Sequence, residues 1–155
     1  MTKPRAARIE LIAIPGLPLV QPGDDLPGLL LAAAQRADVI FQADDVLVVA
    51  QKIVSKAEGR LVYLPDVTPS PRADELAAIT RKDPRLVELI LSESNEVLRA
   101  RPGLLIVEHR LGFVCANAGV DQSNVRGSDD WALLLPVAPD ASARRLRAAI
   151  AAATG

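Results

Sequence analysis

The chain has one cysteine, Cys115, and one histidine, His109, among its 155 residues. A lone cysteine excludes an intramolecular disulfide framework and a cysteine-based zinc cluster, and it fits a reducing compartment. Long apolar runs are missing as well: no window approaches the about 20 apolar residues that a membrane-spanning helix needs. The basic start, Met1 to Arg8, leads into a short apolar stretch broken at Pro15, Gly16 and Pro18, which does not read as a secretory signal. The expectation is a cytoplasmic protein with no membrane partner. Excess charge of either sign is absent too, with 18 lysines and arginines against 19 acidic residues and a net charge of −1. That balance argues against a bulk nucleic-acid or anionic-membrane binder and leaves only a local basic pocket open. Neither a phosphate loop of the Walker type nor a G-x-S-x-G nucleophile turn occurs, and there is no internal repeat.

What is present suits one packed domain, since half of the residues are apolar. Arg8 to Ile14 reads as a strand ended by Pro15-Gly16-Leu17-Pro18, and Asp24-Asp25 opens a helix through about Ala37 with Pro27 in its first turn. Val46 to Ala50 and Arg60 to Leu64 read as strands. The turn Thr68-Pro69-Ser70-Pro71 starts a helix at Arg72, and Asp83-Pro84 starts another, with Asp83 as cap, Pro84 at its first position and a stripe of Leu86, Leu89 and Ile90. Strand-like runs follow at Glu96 to Arg99, Leu104 to Glu108 and Gly112 to Ala116, then an apolar run from Trp131 to Pro136. Asp140 to Thr154 is an alanine- and arginine-rich helix closed by Gly155. Strands and helices mix without strict alternation, which predicts an α/β (α+β) fold: a mixed β-sheet with flanking helices, in one unit over residues 1–155.

Two segments carry chemistry. The apolar run Val46 to Ala50 stops at Gln51-Lys52, and Ser55, Lys56 and Gly59 follow. A strand that delivers polar and cationic groups at its carboxyl end is how α/β proteins build ligand sites. Lysines four apart share one side of a helix or turn, so Lys52 and Lys56 either flank an anion or lie on a solvated surface. The second segment, Asn117 to Asn124, packs two asparagines, Asp121, Ser123 and a glycine behind a strand. It reads either as a hard-cation site built on Asp121 or as an Asx-rich turn bonded to its own backbone. His109, between Glu108 and Arg110, reads as structural or surface. Cys115 reads as a buried hydrophobe, Trp131 as core, and Arg144, Arg145 and Arg147 as a solvated helix face.

Several segments together resemble a known family. They are V-V-A-Q-K-I-V-S-K-A-E-G-R (Val48 to Arg60), D-V-T-P-S-P (Asp66 to Pro71), K-D-P-R-L-V-E-L-I-L-S-E-S (Lys82 to Ser94) and G-F-V-C-A-N-A-G-V-D-Q-S-N-V (Gly112 to Val125), with P-G-D-D-L (Pro22 to Leu26) and P-D-A-S-A-R-R-L-R (Pro139 to Arg147). In order and spacing they resemble the coenzyme F-420:L-glutamate ligases, also called F-420-0:gamma-glutamyl ligases. The resemblance implies GTP-dependent addition of L-glutamate to the coenzyme precursor, γ-linked extension of the tail, and an acyl-phosphate intermediate. It implies a divalent cation, manganese or magnesium, a stimulating potassium ion, and a homodimer. By the same resemblance GTP is contacted by Leu17, Pro18, Leu19, Val20, Gln51, Lys52, Lys56 and Asn124. Asp121 ligates the metal, and Lys56 and Asp121 serve catalysis.

Family members continue past this point into a half with a D-T-F-G-R-P-W-R-like segment that supplies further metal ligands, and Met1 to Gly155 contains no such segment. The chain is therefore expected to be the amino-terminal portion of the ligase domain. A non-catalytic GTP-binding module or assembly subunit of the same fold is the alternative. A third reading is an unrelated α/β domain whose Asx loop is structural.

Overall fold

The computed structural model describes residues 9–123 and 129–155. Helix α1 (Leu26–Arg36) starts at Asp25, whose carboxylate accepts from the Gly28 amide at 3.3 Å. The short helix α2 (Gln51–Ala57) leads through Gly59, at φ +69°, into strand β1 (Leu61–Tyr63). Helices α3 (Pro71–Thr80) and α4 (Pro84–Ser92) form a hairpin. Helix α4 begins as the sequence suggested, at Pro84 with an Asp83 carboxylate cap, while α3 begins one residue before the expected Arg72, with Pro71 in its first turn and the Ser70 Oγ as its cap. The cap of α3 also depends on α4: Glu88 accepts from the Ser70 amide at 2.8 Å and from its hydroxyl at 2.6 Å.

Strands β2 (Ser94–Arg101), β3 (Leu104–His109) and β4 (Val114–Ala116) make an antiparallel sheet in the order β2-β3-β4. Strand β5 (Trp131–Leu133) pairs antiparallel with β1, Leu61 facing Leu133 and Tyr63 facing Trp131. Helix α5 (Pro139–Thr154) closes the chain, and Gly155 ends it at φ +93°. The α/β class read from the sequence is what the chain has, and the described strands fall into two small antiparallel sheets.

Two packed clusters hold these elements. The larger takes Leu76 and Ala77 from α3, Leu86, Val87, Leu89 and Ile90 from α4, and Leu105 and Val107 from β3. The smaller joins Leu26 and Leu30 of α1 to Ile150 of α5, with Val20, Ile53 and Val54 against them. In β3 every second residue is buried, which places Leu105, Val107 and then His109 on the inner face. His109 is therefore structural, fully buried and stacked on Phe113 with ring centres 4.8 Å apart. Trp131 is only half-buried and leans on Tyr63.

Two expected strands are corrected. Residues 9–14 and 46–50 enter no ladder among the described residues, and Arg8 lies outside them. A strand needs a hydrogen-bonding neighbour as well as an apolar run. Here Ile9 (86%), Leu11 (94%), Val46 (85%) and Val48 (87%) are exposed. Among the described residues no helix is long and apolar enough to cross a membrane.

Glu93, only 7% exposed, joins the two sheets. Its carboxylate takes Arg60, at the start of β1, and Arg110, at the end of β3, each at 2.8 Å. Burial pushes the carboxyl up, and hydrogen bonds from Arg110 and Arg60 more than offset it, so its pKa lies below the ordinary glutamate value. Burial likewise holds the His109 imidazole below its usual range, against the opposing pull of Glu93 3.7 Å away.

Glu93→Gln is expected to cost about 3 kcal/mol in urea unfolding at neutral pH, the low end for a broken buried pair because both arginines keep some water. A carboxyl lowered by folding stabilises above its unfolded pKa and loses that contribution as pH falls through the folded value. The gap between wild type and variant should therefore close on acidification; a gap that stays constant would show that Glu93 charge does not matter.

Candidate functional site

Helix α2 has an apolar and a polar side. Ile53, Val54 and Ala57 face the smaller cluster together with Leu17 and Val20. Ser55 is fully buried and accepts from the Gln51 amide at 2.6 Å, which fixes the Gln51 side chain along the helix. Lys52 and Lys56, four apart, lie on one side. The Leu17-Pro18-Leu19-Val20 turn is thus brought against α2 through Leu17 and Val20, while Pro18 and Leu19 are exposed. A groove of about 1020 Å³ runs beside Gln51, walled by Phe41, Val49, Val54, Leu135 and Leu146.

Asp121 is positioned by its backbone. Asn117, Ala118 and Gly119 all have positive φ, at 53°, 50° and 68°, so the chain after β4 makes a left-handed turn. Such backbone is unfavourable for side chains with a Cβ, and strain of this kind collects at functional sites. Gly119 is required there for a second reason: a Cβ on it would lie 2.8 Å from the Leu135 side chain. Beyond the turn, Asp121 bridges to Leu133 beside β5, amide to carbonyl in both directions at 3.0 and 2.8 Å.

The Asp121 carboxylate meets Lys52 across the chain. Lys52 Nζ lies 2.6 Å from Asp121 Oδ2 and donates to the Ser123 carbonyl and hydroxyl oxygens at 3.0 Å each. The other carboxylate oxygen, Oδ1, accepts from the Ser123 amide at 2.8 Å and hydroxyl at 2.7 Å. Partial burial raises the Asp121 carboxyl, and the bonds from Lys52 and Ser123 outweigh it, leaving its pKa below the ordinary aspartate value. The Asx turn expected from the sequence is present, and it coexists with a cation held by the same side chain.

Three oxygens therefore converge on one positive centre, and all are hard donors of the kind magnesium and manganese use. The donor set fits a divalent cation, with the Lys52 ammonium as its stand-in. Among the described residues no group of three or more histidine, cysteine or carboxylate side chains could hold a metal, so Asp121 is the one carboxylate at this position. Lys56 has no ion-pair partner among the described residues. Asn124 lies outside the described residues.

Ser123 was noted only as a member of the Asn117 to Asn124 loop, and the Glu93–Arg60–Arg110 cluster was not singled out from the sequence. Period-2 burial along β3 would have placed His109 inward, but no local pattern pairs Glu93 with residues 33 and 17 positions away. Cys115 is half-buried, and burial raises its thiol pKa, as befits an unreactive side chain. Arg145 reaches Glu58 at 2.8 Å, and Ser142 donates to the same carboxylate, so the α5 face is partly engaged with the end of α2.

The family described as "F420-0:Gamma-glutamyl ligase" matches residues 16–155. A coenzyme F420:L-glutamate ligase of Methanothermobacter thermautotrophicus is 45% identical over 147 residues, which is 95% of this chain and 58% of the relative. The enzymes of that name from Methanopyrus kandleri and Archaeoglobus fulgidus are 48% and 44% identical, over 83% and 96% of this chain and 48% and 56% of their own lengths. The chain belongs to the F420-0:gamma-glutamyl ligase family. It spans about half the length of these curated relatives.

Gly119→Ala is expected to lower stability by about 1–3 kcal/mol through overpacking against Leu135. Thermal unfolding measures the loss; an unchanged midpoint would mean that the turn relaxes freely and does not fix Asp121.

Proposed function

We propose that this chain forms the GTP- and cation-binding wall of an enzyme that joins L-glutamate to the coenzyme F-420 precursor and extends the tail through γ-glutamyl links. The observation that carries this is the convergence of Asp121 and Ser123 oxygens on one cation beside α2, in a family whose relatives are named coenzyme F420:L-glutamate ligases. In the proposed reaction a carboxylate oxygen of the precursor attacks the γ-phosphorus of GTP and GDP leaves, giving an acyl phosphate. The glutamate nitrogen then attacks the acyl carbon, phosphate leaves, and the nitrogen loses a proton.

Asp121 holds the divalent cation, manganese or magnesium, with the Ser123 oxygens beside it. When bound, that ion neutralises charge on the transferring phosphoryl group. Lys56 adds fixed positive charge toward the phosphates, a contribution made by position and electrostatics. Gln51, Lys52, the Leu17-Pro18-Leu19-Val20 turn and Asn124 contact the nucleotide in this reading, and potassium is the stimulating monovalent ion. A homodimer belongs to the same proposal. The runs at residues 9–14 and 46–50, which enter no ladder among the described residues and expose Ile9, Leu11, Val46 and Val48, supply an apolar surface for self-association.

A second reading has one observation in its favour: the described residues offer the cation a single carboxylate. On that ground the chain is a GTP-binding module or assembly subunit that does not turn over alone.

The discriminating measurement is glutamate addition to purified precursor with GTP and manganese, using the chain alone and with the carboxyl-terminal half of a relative. Turnover in either preparation should fall by about a hundredfold or more in Asp121→Asn, the scale of losing one preorganised charge-stabilising group. GTP binding without turnover in both preparations supports the module instead, and absence of both removes the ligase assignment.

A further inference from the structure

We propose that the Lys52 ammonium is the resident occupant of the cation position, and that an arriving divalent ion displaces it. The displaced side chain then becomes the one that meets the nucleotide phosphates. This rests on the reading of Asp121 as a metal ligand. Lys52 Nζ has all three convergent oxygens as its partners: Asp121 Oδ2 at 2.6 Å and Ser123 O and Oγ at 3.0 Å.

Those oxygens cannot serve an ammonium and a divalent ion together. Both cations would draw on the same lone pairs at contact distance, where like charges repel strongly. The oxygens are the fixed partner. Asp121 is held by its two backbone bonds to Leu133, and its Oδ1 is tied to Ser123, so the carboxylate keeps its orientation whichever cation it carries. Lysine is the movable partner, with a flexible four-carbon stem. The ion pair is also open to water, with side-chain exposures of 38% for Lys52 and 26% for Asp121. Pairs of that kind hold weakly, and an ion bound through several oxygens can replace them.

While it occupies the position, the ammonium supplies the charge that the converging oxygens need, so the loop keeps its shape before metal arrives. Once released, the same charge is free to turn toward a phosphate. Metal entry and phosphate contact are therefore coupled through one side chain, and such coupling is reciprocal.

The test uses the full chain with Mn2+ and no nucleotide. Amine acylation of Lys52, read by mass spectrometry with Lys56 as internal reference, should rise severalfold when Mn2+ is added. In Asp121→Asn it should already be high without metal and insensitive to it. Calorimetric titration should show Lys52→Met binding Mn2+ about two- to fivefold more tightly than wild type, the affinity equivalent of a partly exposed ion pair. If Asp121→Asn abolishes Mn2+ binding but Lys52 labelling in wild type ignores the metal, displacement is wrong while the metal assignment stands. If Lys52→Met binds Mn2+ no more tightly than wild type, displacement is likewise overturned. If Mn2+ binding is undetectable in wild type and Lys52→Met alike, or survives Asp121→Asn unchanged, the metal assignment fails and takes the displacement with it.

Discussion

A buried carboxylate shared by two arginines holds the two sheets in one frame. Glu93 sits where α4 turns into β2, and it takes Arg60 from the start of β1 and Arg110 from the end of β3. Among the described residues the sheets share no strand, so this cluster, the Asp121–Leu133 backbone bridge and the apolar packing around α4 set their relative position. Taking a carboxylate out of water is costly, and the cost is met only when the donors are well placed. That requirement makes the cluster specific as well as stabilising. The His109 imidazole lies beneath it, with Nε2 3.7 Å from Glu93 and without a hydrogen bond among the described residues, and Nδ1 accepting from the Leu111 amide at 3.0 Å.

From this cluster a chain of contacts runs to the site. Arg60 Nε donates to the Leu135 carbonyl at 2.8 Å, and the Leu135 side chain fills the space that a Cβ on Gly119 would need. Gly119 ends the left-handed turn that delivers Asp121, and Asp121 meets Lys52 from a helix 71 residues away from Ser123. Arg60 itself follows α2 through Gly59. The ion cluster thus bears on both sides of the Lys52–Asp121 contact, one through the backbone after α2 and one through Leu135.

Helices α1, α3, α4 and α5 were legible because their signals are local, whereas α2 read only as a helix or turn behind an expected strand. Asp83-Pro84 opens α4, and the Leu86, Leu89 and Ile90 stripe is buried, with Val87 widening it. The hairpin strands were legible from apolar runs, although β2 extends beyond Glu96 to Arg99 at both ends. Residues 9–14 and 46–50 carry the same strand signal without a ladder, since a sequence pattern reports a strand's faces and not its neighbour. Lys52 and Asp121 were legible as chemistry, and the family resemblance put them in one site. Their direct contact through Ser123 was not, because it depends on three successive residues at positive φ, which only Gly119 announces. The Glu93 cluster was illegible for the same reason: its members meet only once the sheets have assembled.

Glu88 has a consequence for how the native chain opens. Because its carboxylate holds both the amide and the hydroxyl of Ser70, the first turn of α3 is closed by a side chain that belongs to α4. Undocking α4 strips that turn of a charged acceptor at the moment it also uncovers Leu76 and Ala77. The two helices are therefore expected to open as one cooperative unit, with exchange of the Ser70 amide following the docking of α4.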